Sequence, residues 1–240
     1  MAIHETRLVR RESVADGTMT FYFERPSGFQ HQAGQSLTMT LLNPGETDNE
    51  GDNRTFTIAS APHETNLMIA TRMRDTAFKR VLKSAPLGMI VRIDGPDGVM
   101  VLHTDPQRPA VCLAGGIGIT PFLSMARHAA KQRLPHRLYL FYSNRRPEDA
   151  AFLDELRELE QANSNYRLIA TMTEPDKSSR PWSGETGFIR RDLLERHLSE
   201  LTSPIYYFAG PPAMTMAMRS MLEAIGVADT SMRSEEFYGY

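Results

Sequence analysis

A single cysteine, Cys112, in 240 residues excludes an internal disulfide, a four-cysteine zinc site and a cysteine-ligated iron–sulfur cluster within this chain. It sits in an apolar run, where a buried, inert thiol is the expectation. No apolar stretch approaches the ~18 residues that a membrane span needs, and residues 1–11 carry charge where a signal peptide would be apolar. A cytoplasmic location follows as an expectation. Neither sign of charge dominates: 27 Lys and Arg face 29 Asp and Glu, for a net charge of -2, so the bulk balance gives no argument for nucleic acid or a membrane as partner. The seven histidines form no pair with metalloprotease spacing, and neither a nucleophile elbow nor a Walker sequence occurs, which leaves hydrolase and metal-site readings without support.

What is present falls into two patterns. Short β-branched and aromatic runs at residues 4–14, 19–24, 36–42, 54–59, 67–72 and 89–93 are separated by Gly, Pro, Asn and Asp clusters, as in a barrel or sandwich. One interruption, residues 75–83, places Phe78, Val81 and Leu82 at helical spacing and predicts a single short helix. From about Pro109 strands and helices alternate: 110–114 then 121–133, 137–142 then 148–162, 166–172 then 191–199, and 205–209 then 212–225. That alternation predicts right-handed crossovers onto a parallel sheet. The expected architecture is an antiparallel β-barrel over residues 1–104 and an α/β domain with a parallel sheet over 105–240, joined by a polar linker at 103–108.

The junction Gly115-Gly116-Ile117-Gly118-Ile119-Thr120-Pro121 follows an apolar strand and opens a helix. Glycines let the backbone approach a phosphate closely, and the helix start offers unpaired N–H donors. Thr120 reads as the N-cap and Pro121 as the first helical residue. Upstream, Arg54-Thr55-Phe56-Thr57 sets an arginine and an aromatic on one face of a strand, suited to the phosphate and ring of an extended ligand. At a later strand end, Asn144, Arg145 and Arg146 are polar and doubly basic; an acid there suits the ribose of NAD and an arginine the extra phosphate of NADP.

These motifs, with Gly95-Pro96-Asp97-Gly98, Phe208-Ala209-Gly210-Pro211-Pro212 and the terminal Glu236-Phe237-Tyr238-Gly239-Tyr240, come in one order along the chain. In that order the sequence resembles the ferredoxin-NADP reductase family of flavoproteins, in a two-domain form without an iron–sulfur domain. The resemblance implies FAD, or less commonly FMN, in the barrel, with Arg54 on its diphosphate, Thr55 and Phe56 beside it, Thr57 near the reactive ring nitrogen, and Ala70, Thr71 and Arg72 along its edge. The amides of Thr76, Ala77 and Phe78 would form a second phosphate site. Gly115, Gly116, Gly118, Thr120 and Pro121 would hold the phosphates of NADPH or NADH, with Asn144 and Arg145 at its adenosine end and Gly210 and Pro211 under the nicotinamide. Ala209 stands where the family usually has a cysteine near the hydride path. Phe237 and Tyr240 are candidates to cover the flavin, and Glu235 or Glu236, the latter adjoining Phe237, to relay protons.

The activity so implied moves electrons from NAD(P)H to a separate one-electron acceptor such as an acidic ferredoxin or flavodoxin, steered by Arg72, Arg74, Lys79, Arg80 and Lys83. A reductase component of an oxygenase and a free-flavin or ferric reductase are the nearest alternatives. A non-catalytic flavin- or nucleotide-binding redox sensor is the reading from another class.

Overall fold

The computed structural model describes residues 2–237. The first half is an antiparallel six-stranded sheet: β1 (Ala2–Ala15), β2 (Thr18–Glu24), β3 (Ser36–Leu41), β4 (Asn53–Thr57), β5 (Asn66–Arg72) and β6 (Ile90–Asp97), in the order β4-β3-β6-β1-β2-β5. Alternation along these strands sends Phe21, Phe23, Leu37, Met39, Ile69 and Val91 into one core. The sheet curls on itself. Just beyond β4, Ala59 N donates to Met68 O of β5 at 2.7 Å, and Met68 N donates to Ser60 Oγ at 3.0 Å, so the two outer strands meet.

Helix α1 (Ala77–Ser84) is the expected short helix. Thr76 caps it, its side chain accepting from Lys79 N, while Phe78 and Leu82 are buried in the barrel core.

The second half holds β7 (Ala110–Gly115), α2 (Thr120–Gln132), β8 (Leu138–Asn144), α3 (Leu153–Ala162), β9 (Tyr166–Met172), β10 (Glu185–Thr186), α4 (Arg191–His197), β11 (Ile205–Gly210), α5 (Pro212–Ile225) and β12 (Met232–Glu236). Its strands run parallel in the order β10-β9-β8-β7-β11-β12. The chain leaves β7 toward β8 and β9, then returns to β11 on the other side. Strand order therefore reverses at β7, and the ends of β7 and β11 flank the crevice where ligands of open α/β sheets bind.

Two expectations are corrected. The helix read over 148–162 begins only at Leu153: a 3-10 turn, Pro147–Asp149, comes first, and Phe152 takes a left-handed conformation with φ 62°. The chain turns there because Asp149 is drawn back onto Arg146. The terminal segment, read for its aromatics, is also a strand, since residues 232–236 pair with β11 in parallel register.

The halves share a core: Ala59 and Met68 pack in one cluster with Phe122, Met125 and Ala126 of α2. Ser124 Oγ donates to Ser60 O at 2.8 Å across the seam. Arg127 reaches Glu64 of the first half at 3.3 Å and Glu155 of α3 at 2.6 Å. In the linker, His103 Nδ1 lies 2.9 Å from Tyr207 Oη and its Nε2 3.0 Å from Arg108 O.

Candidate functional site

Two clefts meet at this seam. The first, about 330 Å³, is walled by Arg54, Thr55, Phe56 and Thr57 of β4, Ala70, Thr71 and Arg72 of β5, and Thr76 and Lys79 around α1, with Ile117 and Phe237 arriving from the second half. The second, about 340 Å³, lies over the ends of β7, β8 and β11 and is lined by Gly115, Gly116, Asn144, Arg145, Pro211 and Met214 among others. Arg72 belongs to both walls. Residues far apart in sequence thus form one continuous depression.

The first cleft is rich in positive charge. Lys79 Nζ donates to Arg72 O at 2.8 Å, and burial, with Arg74 and Arg54 close by, lowers its ammonium to about 8. Deeper in, Thr57 Oγ1 is buried without a hydrogen-bond partner among the described residues. A buried hydroxyl in that state awaits a ligand or water. Phe56 supplies an apolar wall, braced by Phe78 at 5.8 Å between ring centroids. Cations, an unpaired hydroxyl and an aromatic wall fit an aromatic ligand bearing phosphate.

The second cleft works through backbone. A side chain at Gly115 would collide with Met214 Sδ at 2.3 Å, and Gly116 has φ 53°. At Gly118 a Cβ would stand 2.2 Å from Ala209 O, so this glycine lets the turn close onto β11. Asn144 Nδ2 is buried and unpartnered among the described residues, a donor held ready in the wall. This donor set fits a dinucleotide laid across the strand ends.

Several sequence expectations shift. The glycine junction folds as a 3-10 turn, Gly116–Ile119, before α2, so Thr120 is not an N-cap: its hydroxyl donates to Ile117 O at 3.1 Å. Thr120, Pro121 and Gly118 are buried and line neither cleft. Ala209 is likewise fully buried, its carbonyl turned to Gly118, and neither it nor Gly210 lines either cleft. Thr76 N already donates to Arg74 O, and Ala77 N to Asp48 Oδ2 at 2.8 Å. Phe78 is buried behind Phe56.

The arginine pair also separates. Arg146 makes two 3.0 Å bonds to the buried Asp149 carboxylate, leaving Arg145, 3.9 Å from it, on the cleft wall. Of the proposed steering cations, Arg72, Arg74 and Lys79 line the first cleft, whereas Arg80 is held by Glu46 and Asp75.

At the C-terminal end, Phe237 N donates to Gly210 O at 3.1 Å and its side chain lines the first cleft. Tyr240 lies outside the described residues. The two acids part on opposite faces of β12. Glu236 is exposed, 3.4 Å from Thr215 Oγ1 of α5. Glu235 turns inward beside Gly98 and Ser36, its Oε2 is buried without a partner, and burial pushes its carboxyl up to about 7. Glu235 lines neither cleft.

Sequence reasoning missed Phe188, Thr173 and Met214 as wall residues. Thr173 follows β9 and was findable from the rule that ligands sit at strand ends. Phe188, 66% exposed, has no motif around it that marks it. Beyond it, Met214, Met218 and Met221 continue the second cleft into an apolar groove of about 560 Å³. Among the described residues no group of three or more His, Cys, Asp or Glu is placed to hold a metal ion, and no helix is long and apolar enough to cross a membrane.

Comparison with known proteins adds the following. Residues 112–220 match the oxidoreductase NAD-binding domain family. The chain is 27% identical over 241 residues to the glycine betaine monooxygenase reductase subunit of Chromohalobacter salexigens, covering 98% of this chain and 64% of that protein. It is 28% identical over 214 residues to ferredoxin-NADP reductase B of Sorangium cellulosum, covering 87% and 82% respectively. Its fold superimposes on a Neisseria gonorrhoeae ferredoxin NADP+ reductase crystallised with FAD and NADP, with a TM-score of 0.80 at 20% identity, over 98% of this chain and 99% of that one. The chain spans less than two thirds of the oxygenase reductase subunits it matches, 64% in the first case and 59% of terephthalate 1,2-dioxygenase reductase component 2 from Comamonas sp.

Proposed function

We propose that the chain belongs to the ferredoxin-NADP reductase family and is an NAD(P)H-dependent flavoprotein reductase that passes electrons to a separate acceptor. The observation that carries this reading is the pair of clefts joined at Arg72, one built for an aromatic ligand bearing phosphate and one for a dinucleotide. A flavin, when bound, supplies the chemistry that takes a hydride as an electron pair and hands electrons on singly.

The protein's own residues bind, orient and shield. Arg54, Arg74 and Lys79 would hold the flavin phosphates by charge, Phe56 would pack along the ligand, and Thr57 Oγ1 would offer its unused hydrogen bond. Gly115 and Gly116 would let dinucleotide phosphates approach the backbone, Asn144 Nδ2 would offer its unused donor, and Pro211 would support the nicotinamide end. Phe237 and Ile117 close the seam between the ligands and exclude water. Glu235 holds or releases a proton at Oε2 near neutral pH, since its carboxyl titrates at about 7.

The acceptor is a one-electron carrier or the terminal component of an oxygenase. Names of relatives support both: a ferredoxin-NADP reductase and reductase subunits of monooxygenases and dioxygenases. The test is reconstitution: flavin-free protein incubated with FAD and desalted retains a yellow flavin in near one-to-one ratio. A protein that emerges colourless at every FAD concentration contradicts the proposal.

A further inference from the structure

Residues 46–50 read Glu-Thr-Asp-Asn-Glu and run beside the first cleft, with Glu50 in its wall. Their carboxylates hold the donors that a bound phosphate would claim. Asp48 Oδ2 accepts from Ala77 N at 2.8 Å, and Ala77 opens α1. Asp48 Oδ1 accepts from Glu50 N at 3.0 Å and lies 3.5 Å from Arg54 Nη2. Glu50 Oε2 lies 2.8 Å from the same Nη2, and Arg54 Nη1 donates to the carbonyls of Glu50 and Asn53. Glu46, at the start of the segment, is anchored on Arg80 of α1 at 2.8 Å.

A carboxylate with one oxygen on the first amide of a helix and the other toward a guanidinium occupies the place of an anionic guest. We propose that residues 46–50 are a built-in phosphate stand-in, seated on Arg54 and the α1 amide in the flavin-free protein and expelled when a phosphorylated flavin binds. The inference rests on reading the first cleft as the flavin site. Two arguments support it. Like charges a few ångströms apart repel, so Asp48 and Glu50 cannot keep their places beside a diphosphate. Arg54, with only 18% of its side chain exposed, is also costly to leave unpaired, so an internal anion and a phosphate compete for the same guanidinium.

The consequence is an affinity penalty that falls on phosphate-bearing flavins alone. The test titrates flavin-free wild type and D48N/E50Q with FAD and with riboflavin, which has no phosphate, following flavin fluorescence. Removing both charges tightens FAD binding roughly tenfold and leaves riboflavin unchanged. If both proteins bind FAD but the variant binds it no more tightly, or if riboflavin tightens equally, the stand-in is overturned while the flavin reading survives. If neither protein takes up any flavin, both fall. Thermal melting of the flavin-free proteins verifies the fold; should D48N/E50Q fail to unfold cooperatively, E50Q alone carries the test, with a roughly threefold gain expected.

Discussion

The two clefts solve the same problem, holding phosphate beside an aromatic ring, by opposite means. The first relies on side chains: Arg54, Arg72, Arg74 and Lys79 come from two strands, a helix and the loop before it, and internal acids already engage Arg54. The second relies on the main chain, with a turn stripped of side chains at Gly115 and Gly116 and one waiting amide on Asn144. The glycine turn is set by folding, and no internal carboxylate is seated on it among the described residues. A side-chain site can be tuned by its neighbours, and the acidic segment beside Arg54 is such a neighbour.

The largest effect should come from breaking the main-chain cleft. Gly118→Ala puts a Cβ 2.2 Å from Ala209 O, a backbone atom that has no room to yield. A loss of about 3 to 4 kcal/mol in unfolding free energy is expected by urea titration, with dinucleotide binding abolished. Next comes the side-chain cleft: Arg54→Ala should weaken FAD about a hundredfold, equivalent to ~3 kcal/mol, and leave the dinucleotide affinity of the flavin-free protein unchanged. Equal losses of both ligands in this variant would dissolve the distinction between the clefts.

The fold was legible wherever the signal is local. The alternation of short strands, the helix after Thr76 and the strand–helix succession from Ala110 each depend on residues within a few positions of one another. The glycine junction and Arg54-Thr55-Phe56-Thr57 were visible for the same reason. What escaped depends on contacts between distant segments. Asp48 meets Ala77 across 29 positions, and Glu235 lies against Gly98 of the first half. No local pattern marks which of two adjacent acids points inward; only the parallel pairing of β12 with β11 decides it. That Arg146 is tied to Asp149 while Arg145 stays on the cleft wall depends on a backbone turn where a continuous helix was expected.

Glu235 sharpens the comparison through pH, since it lies at the junction of the halves. Its carboxyl ionises at about 7 in the folded protein against 4.5 ordinarily, so its contribution to stability is complete below 4.5 and is lost as pH rises through 7. Glu235→Gln should therefore melt like wild type at pH 4 and be more stable by about 3 kcal/mol at pH 8. A stability difference independent of pH would remove the buried-acid account. The smallest effect is expected at the rim of the second cleft. Arg145→Ala should raise the KM for NADPH about fivefold, ~1 kcal/mol, and leave that for NADH unchanged, because Arg145 alone of its pair is released from bidentate pairing with Asp149.

The central claim is that ligands in the two clefts meet at the seam closed by Arg72, Ile117 and Phe237. Anaerobic mixing of the FAD-loaded protein with NADH or NADPH, followed by absorbance, tests it most directly. The account predicts that the yellow colour bleaches within seconds with at least one of them. A protein that binds the dinucleotide, seen by quenching of its fluorescence, yet stays yellow would contradict the account and make the chain a sensor.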